Sequence, residues 1–206
     1  MRLFSRLPPF WRSVADIVVT LALAGVIVWA ARAFVMKPYT VPTGSMEPTL
    51  MPGDYVIADR LSLDFTHPHR FQIVVFHPPH CKSNNDDKGV CQTTDLGQRA
   101  GLSGTTYIKR VIGLPGDTIR HNKDHLFVTN AAGKTFVLKE PWVMNGDQLG
   151  GTTLQQNLKI PKGYYLMLGD NRLISDDSRT WGLEPQNGMI GIARVRYWPL
   201  DRIGTL

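Results

Sequence analysis

Thr106-Tyr107-Ile108-Lys109-Arg110-Val111-Ile112-Gly113 is the stretch on which the reading of this chain turns. Its β-branched and aromatic residues favour a strand, and a period of two places Tyr107, Lys109 and Val111 on one face while Arg110 points to the other. Pro115, Gly116 and Asp117 end the run, and Pro52, Gly53 and Asp54 repeat the same device; both triplets put proline and glycine where a type II turn wants them. The flanking residues do not correspond, so this is a shared turn and not an internal repeat. Outward from it, short alternating runs at 55–58, 72–76, 106–112, 118–121, 126–129, 135–138, 164–168 and 192–198 predict strands. No amphipathic helical period of useful length interrupts them, so the pattern is that of an all-β domain. Two stretches, 78–104 and 141–161, are polar or rich in glycine and amides and read as excursions from the core. The segment 122–162 is expected to form a small β lobe inserted between the strand carrying Lys109 and the one ending at Leu168.

The N-terminus is of another kind. No charge occurs from Ile17 to Ala31, and apolar character extends over 14–35, close to the ~20 residues a bilayer span requires. Arg2, Arg6 and Arg12 precede it, and Asp16 lies one turn inside, where the headgroups and the helix N-terminus make a carboxylate cheaper. A cleaved signal peptide is the competing reading, with Ala31-Arg32-Ala33 as the cleavage triplet. The length of the apolar run argues instead for an uncleaved anchor over 13–35 behind a basic cytoplasmic N-terminus over 1–12. Three arginines before the span place the N-terminus inside and the bulk of the chain outside the cytoplasm.

The 206 residues are 43% hydrophobic and 19% charged, enough for one good core and a small second lobe. Net charge is +6, of which four arginines and one aspartate within the first 33 residues account for half. The rest carries no run of basic residues interleaved with aromatics, which excludes a nucleic-acid groove and leaves contact with membrane lipid as the reason for the basic start. Cys81 and Cys91 stand ten apart in a polar loop. In an oxidising compartment one disulfide between them closes a short loop, worth ~2 to 3 kcal/mol. A zinc site with His77 and His80 competes, but the spacing is not that of the familiar zinc motifs, and two unlinked thiols are the third reading. No metal and no cofactor is therefore expected.

Three segments carry chemistry. Ser45 lies in Val41-Pro42-Thr43-Gly44-Ser45-Met46-Glu47-Pro48, where Gly44 permits a close turn and two prolines stiffen the flanks. Such preorganisation suits a nucleophile whose backbone N–H must also face a developing oxyanion. Lys109 has apolar neighbours that disfavour its ammonium form, so a neutral amine becomes available to take a serine proton. A dense polar segment runs from Gly169 to Gly182, in which Asp177 and Arg179 make a natural ion pair and Ser175 is placed to aim a lysine amine. Each has a plainer reading taken alone: a Gly-Ser turn in a linker, a lysine whose head reaches solvent, and a self-satisfying polar network.

Together, Pro42-Thr43-Gly44-Ser45-Met46 with Pro48-Thr49-Leu50, Tyr107-Ile108-Lys109-Arg110-Val111 with Gly113 and Pro115-Gly116-Asp117, and Gly169-Asp170-Asn171-Arg172 with Ser175, Asp177, Ser178, Arg179, Trp181 and Gly182 resemble the three boxes of the type I signal peptidases, or leader peptidases. The resemblance implies a mainly β protein: one N-terminal transmembrane helix, then an all-β catalytic domain of antiparallel sheets over 36–121 and 163–206, with the small lobe over 122–162 inserted. It implies a serine endopeptidase without cofactor, on the outer side of the cytoplasmic membrane, that cuts signal peptides of secretory preproteins after small residues of the Ala-x-Ala type. Ser45 would be nucleophile, Lys109 base, Ser175 the group orienting the lysine, and Thr43 the hydroxyl completing an oxyanion hole, with Asp177 and Arg179 in support. The peptide would bind as an added strand. Leu173 and Ile174 depart from the acidic or amide pair common in the bacterial enzymes. That departure leaves open a specialised peptidase maturing the pilin of a conjugative transfer system. An anchored, non-catalytic peptide-binding β domain is the reading from another class.

Overall fold

Every run read as a strand from its alternation is a strand in the computed structural model, which describes residues 8–30, 36–78, 106–122, 125–143 and 156–206, the side chains of 9, 12 and 27–30 excepted. In chain order the elements are α1 (Pro9–Ala30), β1 (Met36–Thr40), β2 (Tyr55–Asp59), α2 (Leu61–Phe65), β3 (Ile73–Phe76), β4 (Tyr107–Gly113), β5 (Thr118–His121), β6 (Leu126–Thr129), β7 (Thr135–Val137), β8 (Leu158–Lys159), β9 (Tyr164–Leu168), α3 (Ser178–Trp181), β10 (Glu184–Pro185), β11 (Met189–Trp198) and β12 (Gly204–Thr205). Four of these strands have no counterpart in the alternation. β8, β10 and β12 are two residues each, too short to show a period, and β1 carries Pro38 on an edge where a missing N–H is tolerated.

Two antiparallel sheets result. The larger has the order β1-β2-β11-β3-β4-β9-β10, with β12 beside β11; the smaller has the order β7-β6-β5-β8. The chain leaves the large sheet after β4, builds the small one, and returns as β9 to pair with β4 through Arg110↔Leu168 and Val111↔Met167. Ile112 and Leu168 from the large sheet share one buried cluster with Ile119, Leu126 and Val128 from the small one, so the two sheets close over a common core. Val111 faces a separate cluster with Val74, Phe76 and Met167. β4 is thus covered on both sides, and its residues from Lys109 to Gly113 are all buried.

The two Pro-Gly-Asp turns are built alike. Gly53 and Gly116 have φ of +90° and +89°, conformations that glycine adopts without strain. Asp54 Oδ2 accepts from the N–H of Met51 at 2.9 Å, and Asp117 Oδ2 from that of Leu114 at 2.6 Å. Each buried carboxylate also meets an arginine, Arg202 at 3.1 Å for Asp54 and Arg70 at 2.8 Å for Asp117. One turn closes the loop that carries Ser45 and the other fixes the exit of β4. The segments that bring serine and lysine together are thereby pinned by the same chemistry.

α1 leaves most of its described apolar side chains uncovered. Phe10, Trp11, Ile17, Leu21, Leu23 and Val26 are all exposed along it. Among the described residues no helix is long and apolar enough to cross a membrane. The expected anchor over 13–35 lies partly outside the described residues, since the side chains of 27–30 and all of 31–35 fall outside that set.

Candidate active site

The loop 41–54 presents Ser45 by burying the residues around it. Val41, Met46 and Leu50 are almost fully enclosed in a cluster with Val56, Ile73 and Ala193. Burial of side chains such as Met46 and Leu50 contributes about 1.5–3 kcal/mol each. Hydrogen bonds from the Val41 N–H to the Asp54 carbonyl and from the Gly53 N–H to the Val41 carbonyl, both 2.9 Å, tie the loop at its base. Thr43 is extended, with φ −133° and ψ 158°, and the chain then makes a single 3-10 turn over Gly44–Met46. That turn faces β4.

Lys109 Nζ lies 2.6 Å from Ser45 Oγ, although the two residues are 64 apart in sequence. Lys109 is 3% exposed and Ser45 7%. Burial, the largest influence, lowers the lysine from 10.5 to about 8; Asp177, Asp176 and Asp170 pull it back up, and Arg179 adds to the depression. The Tyr107 ring, whose centroid is 5.8 Å from Nζ, packs beside the amine. A large share of the lysine is therefore neutral near pH 8. A neutral amine at that distance accepts the Ser45 O–H proton through its lone pair, whereas the ammonium only donates. Thr43 Oγ1 donates to Ser45 Oγ at 3.4 Å, which puts a second hydroxyl beside it.

The third segment forms the wall behind this pair. Asp177 caps α3, accepts from the Gly169 N–H at 3.0 Å, and holds Arg179 in a two-point ion pair at 2.8 and 2.9 Å. Arg179 also donates to the Ser175 carbonyl at 3.1 Å. Ser175 Oγ is buried and has no hydrogen-bond partner among the described residues, so it is near the serine loop without being bonded to Lys109. It lies against Gly169, where a Cβ would meet Ser175 Oγ at 2.1 Å and the Ser45 carbonyl at 2.4 Å. Only glycine permits that approach. The Asn171 N–H donates to the same Ser45 carbonyl at 3.1 Å, completing the contact between wall and nucleophile loop.

Sequence reasoning missed the residues that brace the wall. Arg110 makes a two-point ion pair with Asp170 at 2.6 and 2.8 Å and donates to the Phe71 carbonyl at 2.8 Å, and its guanidinium sits 4.3 Å from the Trp142 ring centroid. Thr49, in the serine loop, donates to Asp170 at 2.6 Å. Phe71 holds a φ of +74°, uncommon for an aromatic residue. Arg172 pairs with Glu140 at 2.6 Å, both side chains fully buried. Period two had sent Arg110 away from Lys109, and a charge on a buried strand is itself a signal that a carboxylate must meet it. Glu140 gave no such signal, being a lone acid at the edge of a segment read as an excursion. Cys81, Cys91 and His80 lie outside the described residues. Among those described, no group of three or more histidine, cysteine or acidic residues is arranged to hold a metal ion.

The site thus brings a serine hydroxyl into hydrogen-bond contact with a lysine amine of lowered pKa, with Gly169 pressed against the serine loop. The family model of signal peptidase, peptidase S26, matches residues 14–198. A protein of Synechocystis sp. named "Probable signal peptidase I-1" is 33% identical over 98% of this chain and 91% of its own length. Signal peptidase I of Leptolyngbya laminosa is 35% identical over 91% of this chain and 81% of its own. A crystal structure of a signal peptidase I from Enterococcus faecalis V583 aligns with a TM-score of 0.40 at 26% identity, covering 62% of this chain and 97% of that one. The chain belongs to the signal peptidase family S26.

Proposed function

We propose that this chain is a membrane-anchored serine endopeptidase that removes signal peptides from translocated preproteins, with Ser45 as nucleophile and Lys109 as general base. The observation that carries the reading is the 2.6 Å contact between a hydroxyl and an amine held near a pKa of about 8. In the first step Lys109 takes the Ser45 proton as Oγ attacks the scissile carbonyl. The resulting ammonium gives that proton to the leaving amine, and water then repeats the cycle on the acyl-enzyme. Thr43, with the Ser45 N–H, faces the developing oxyanion. Asp177 and Arg179 hold the wall on which Ser175 sits, and Ser175 is the polar group placed to steady the amine once substrate excludes water.

The substrate is an extended peptide with small residues at the first and third positions before the cut, laid down as an added strand. α1 with the residues after it is the anchor, inserted once, N-terminus inside and catalytic domain outside the cytoplasm. The exposed apolar side chains on all sides of α1 support this, because a helix apolar all round needs a core or a bilayer to cover it. The inserted lobe, expected over 122–162, takes in β5 (Thr118–His121) as well, because that strand pairs with β6 and β8 rather than with the large sheet. The deciding experiment incubates purified full-length protein with a secretory precursor bearing an Ala-x-Ala site, beside the Ser45→Ala variant. Cleavage at that site by the wild type alone is expected; equal products from both would end the proposal. Carbonate-resistant membrane association that is lost when residues 1–35 are removed tests the anchor.

A further inference from the structure

We propose that Glu140, on the segment that follows β7 in the small sheet, is a positioning residue for the Ser45–Lys109 pair, and that the lobe thereby sets the geometry of a site to which it contributes no reacting atom. The inference rests on the peptidase reading above. Its starting point is that the Glu140–Arg172 pair is the one described ion pair with both side chains at zero exposure. A fully buried pair is weak evidence for stability, since well-packed apolar residues of the same volume usually serve the fold as well. What this pair does instead is spatially specific. Arg172 Nη2 meets Glu140 Oε1 at 2.6 Å, and its Nε donates to the Gly169 carbonyl at 2.9 Å. Gly169 is the residue pressed against both the Ser45 carbonyl and Ser175 Oγ, and Asn171, next to Arg172, holds the Ser45 carbonyl from the other side.

A continuous set of hydrogen bonds and contacts thus runs from Glu140 through Arg172 and Gly169 to the backbone of the nucleophile. Trp142, two residues along the same segment, packs on Arg110, whose partner Asp170 also receives Thr49 of the serine loop. The lobe therefore grips the wall from two sides. The wall is also the source of the charges that act on Lys109, namely Asp177, Asp176, Arg179 and Asp170. If Glu140 is lost, Arg172 loses its buried carboxylate, and the Gly169 carbonyl it holds shifts with it. Ser45 Oγ moves relative to Nζ, and water gains access to the amine. Misplacement by about 1 Å costs on the order of 10²-fold in turnover.

The test compares full-length wild type, Ser45→Ala, Glu140→Ala, Glu140→Gln and the apolar pair Glu140→Leu with Arg172→Met. Three quantities are read: kcat and KM on an Ala-x-Ala precursor well below the melting temperature, the melting temperature, and the titration of Lys109 by pH-dependent amine labelling with mass-spectrometric readout. Glu140→Ala is expected to lose on the order of 10²-fold in kcat with KM little changed, and its Lys109 midpoint to move up from about 8 towards 10.5. Glu140→Gln, which keeps the accepting Oε1, recovers most of the rate. The apolar pair is decisive where Glu140→Ala folds poorly: it restores melting, yet keeps the low kcat and the raised midpoint. An apolar pair with wild-type kcat and midpoint overturns the proposal, leaving Glu140 a packing residue. Failure of the peptidase reading shows up separately, as equal activity of wild type and Ser45→Ala, and the Lys109 titration then still decides the role of Glu140.

Discussion

Lys109 and Arg110 are neighbours on one buried strand, and the protein treats their charges in opposite ways. Arg110 meets a full complement of partners, two oxygens of Asp170, the Phe71 carbonyl and the face of Trp142. Lys109 meets a hydroxyl at 2.6 Å and an aromatic ring, and its carboxylate neighbours act without an ion pair. Arg110 braces the wall through its ion pair, while the Lys109 amine loses its proton more readily than a free lysine does. Burial is nearly the same, at 7% and 3% exposure. What differs is whether a carboxylate is supplied, and that difference separates a structural cation from a chemical one.

Exchanging the two roles gives the largest effect. Lys109→Arg places a group that stays protonated beside Ser45, and cleavage is expected to fall by on the order of 10⁴-fold or more, as for Ser45→Ala. Single-turnover assays at high enzyme concentration measure the residue, and near-normal turnover by Lys109→Arg would remove the neutral amine from the mechanism. Arg110→Ala acts on the other side of the comparison. It strands Asp170, fully buried, without its cation, and about 3–5 kcal/mol of stability is expected to go, read by chemical denaturation.

Lys109→Met should do the reverse and stabilise the fold at neutral pH. A lysine lowered from 10.5 to about 8 is held in the folded state at the expense of its ammonium form. The folded state binds fewer protons than the unfolded one between those two values, so stability rises with pH across that window. Below about pH 8 the whole cost is present, up to about 3 kcal/mol. The gain from Lys109→Met is therefore largest at neutral pH and shrinks as pH rises towards 10.5. The same shift predicts that kcat/KM climbs with pH through a midpoint near 8. A limb beginning only near pH 10 would mean that burial does not set the base. The smallest effect is expected from Thr43→Val, which removes one hydroxyl at 3.4 Å from Ser45 Oγ and should lower kcat by roughly 10²-fold or less, with KM kept.

Ser45 and Lys109 were legible as a pair only when the three segments were read together, since each alone has a plainer reading. Ser45 sits between prolines beside a glycine, and Lys109 sits among residues that belong in a core. The strands followed from period two, and the Pro-Gly-Asp turns from residues whose backbone preferences are intrinsic. The bracing was not legible. Glu140 and Arg172 are 32 apart and meet only because the segment after β7 comes against the turn that follows β9. Gly169 was legible as the start of the third motif, but its purpose appears only when Ser175 and the Ser45 carbonyl are seen pressed against it.

By itself, then, the sequence determined the mainly β class and the apolar start, which follow from short-range periodicity, while Ser45 and Lys109 stood out only when three segments were read together. The tertiary structure alone decided which cation is paired and which is left to lose its proton. That choice depends on where carboxylates from distant segments arrive in a water-poor interior, and no local pattern encodes it.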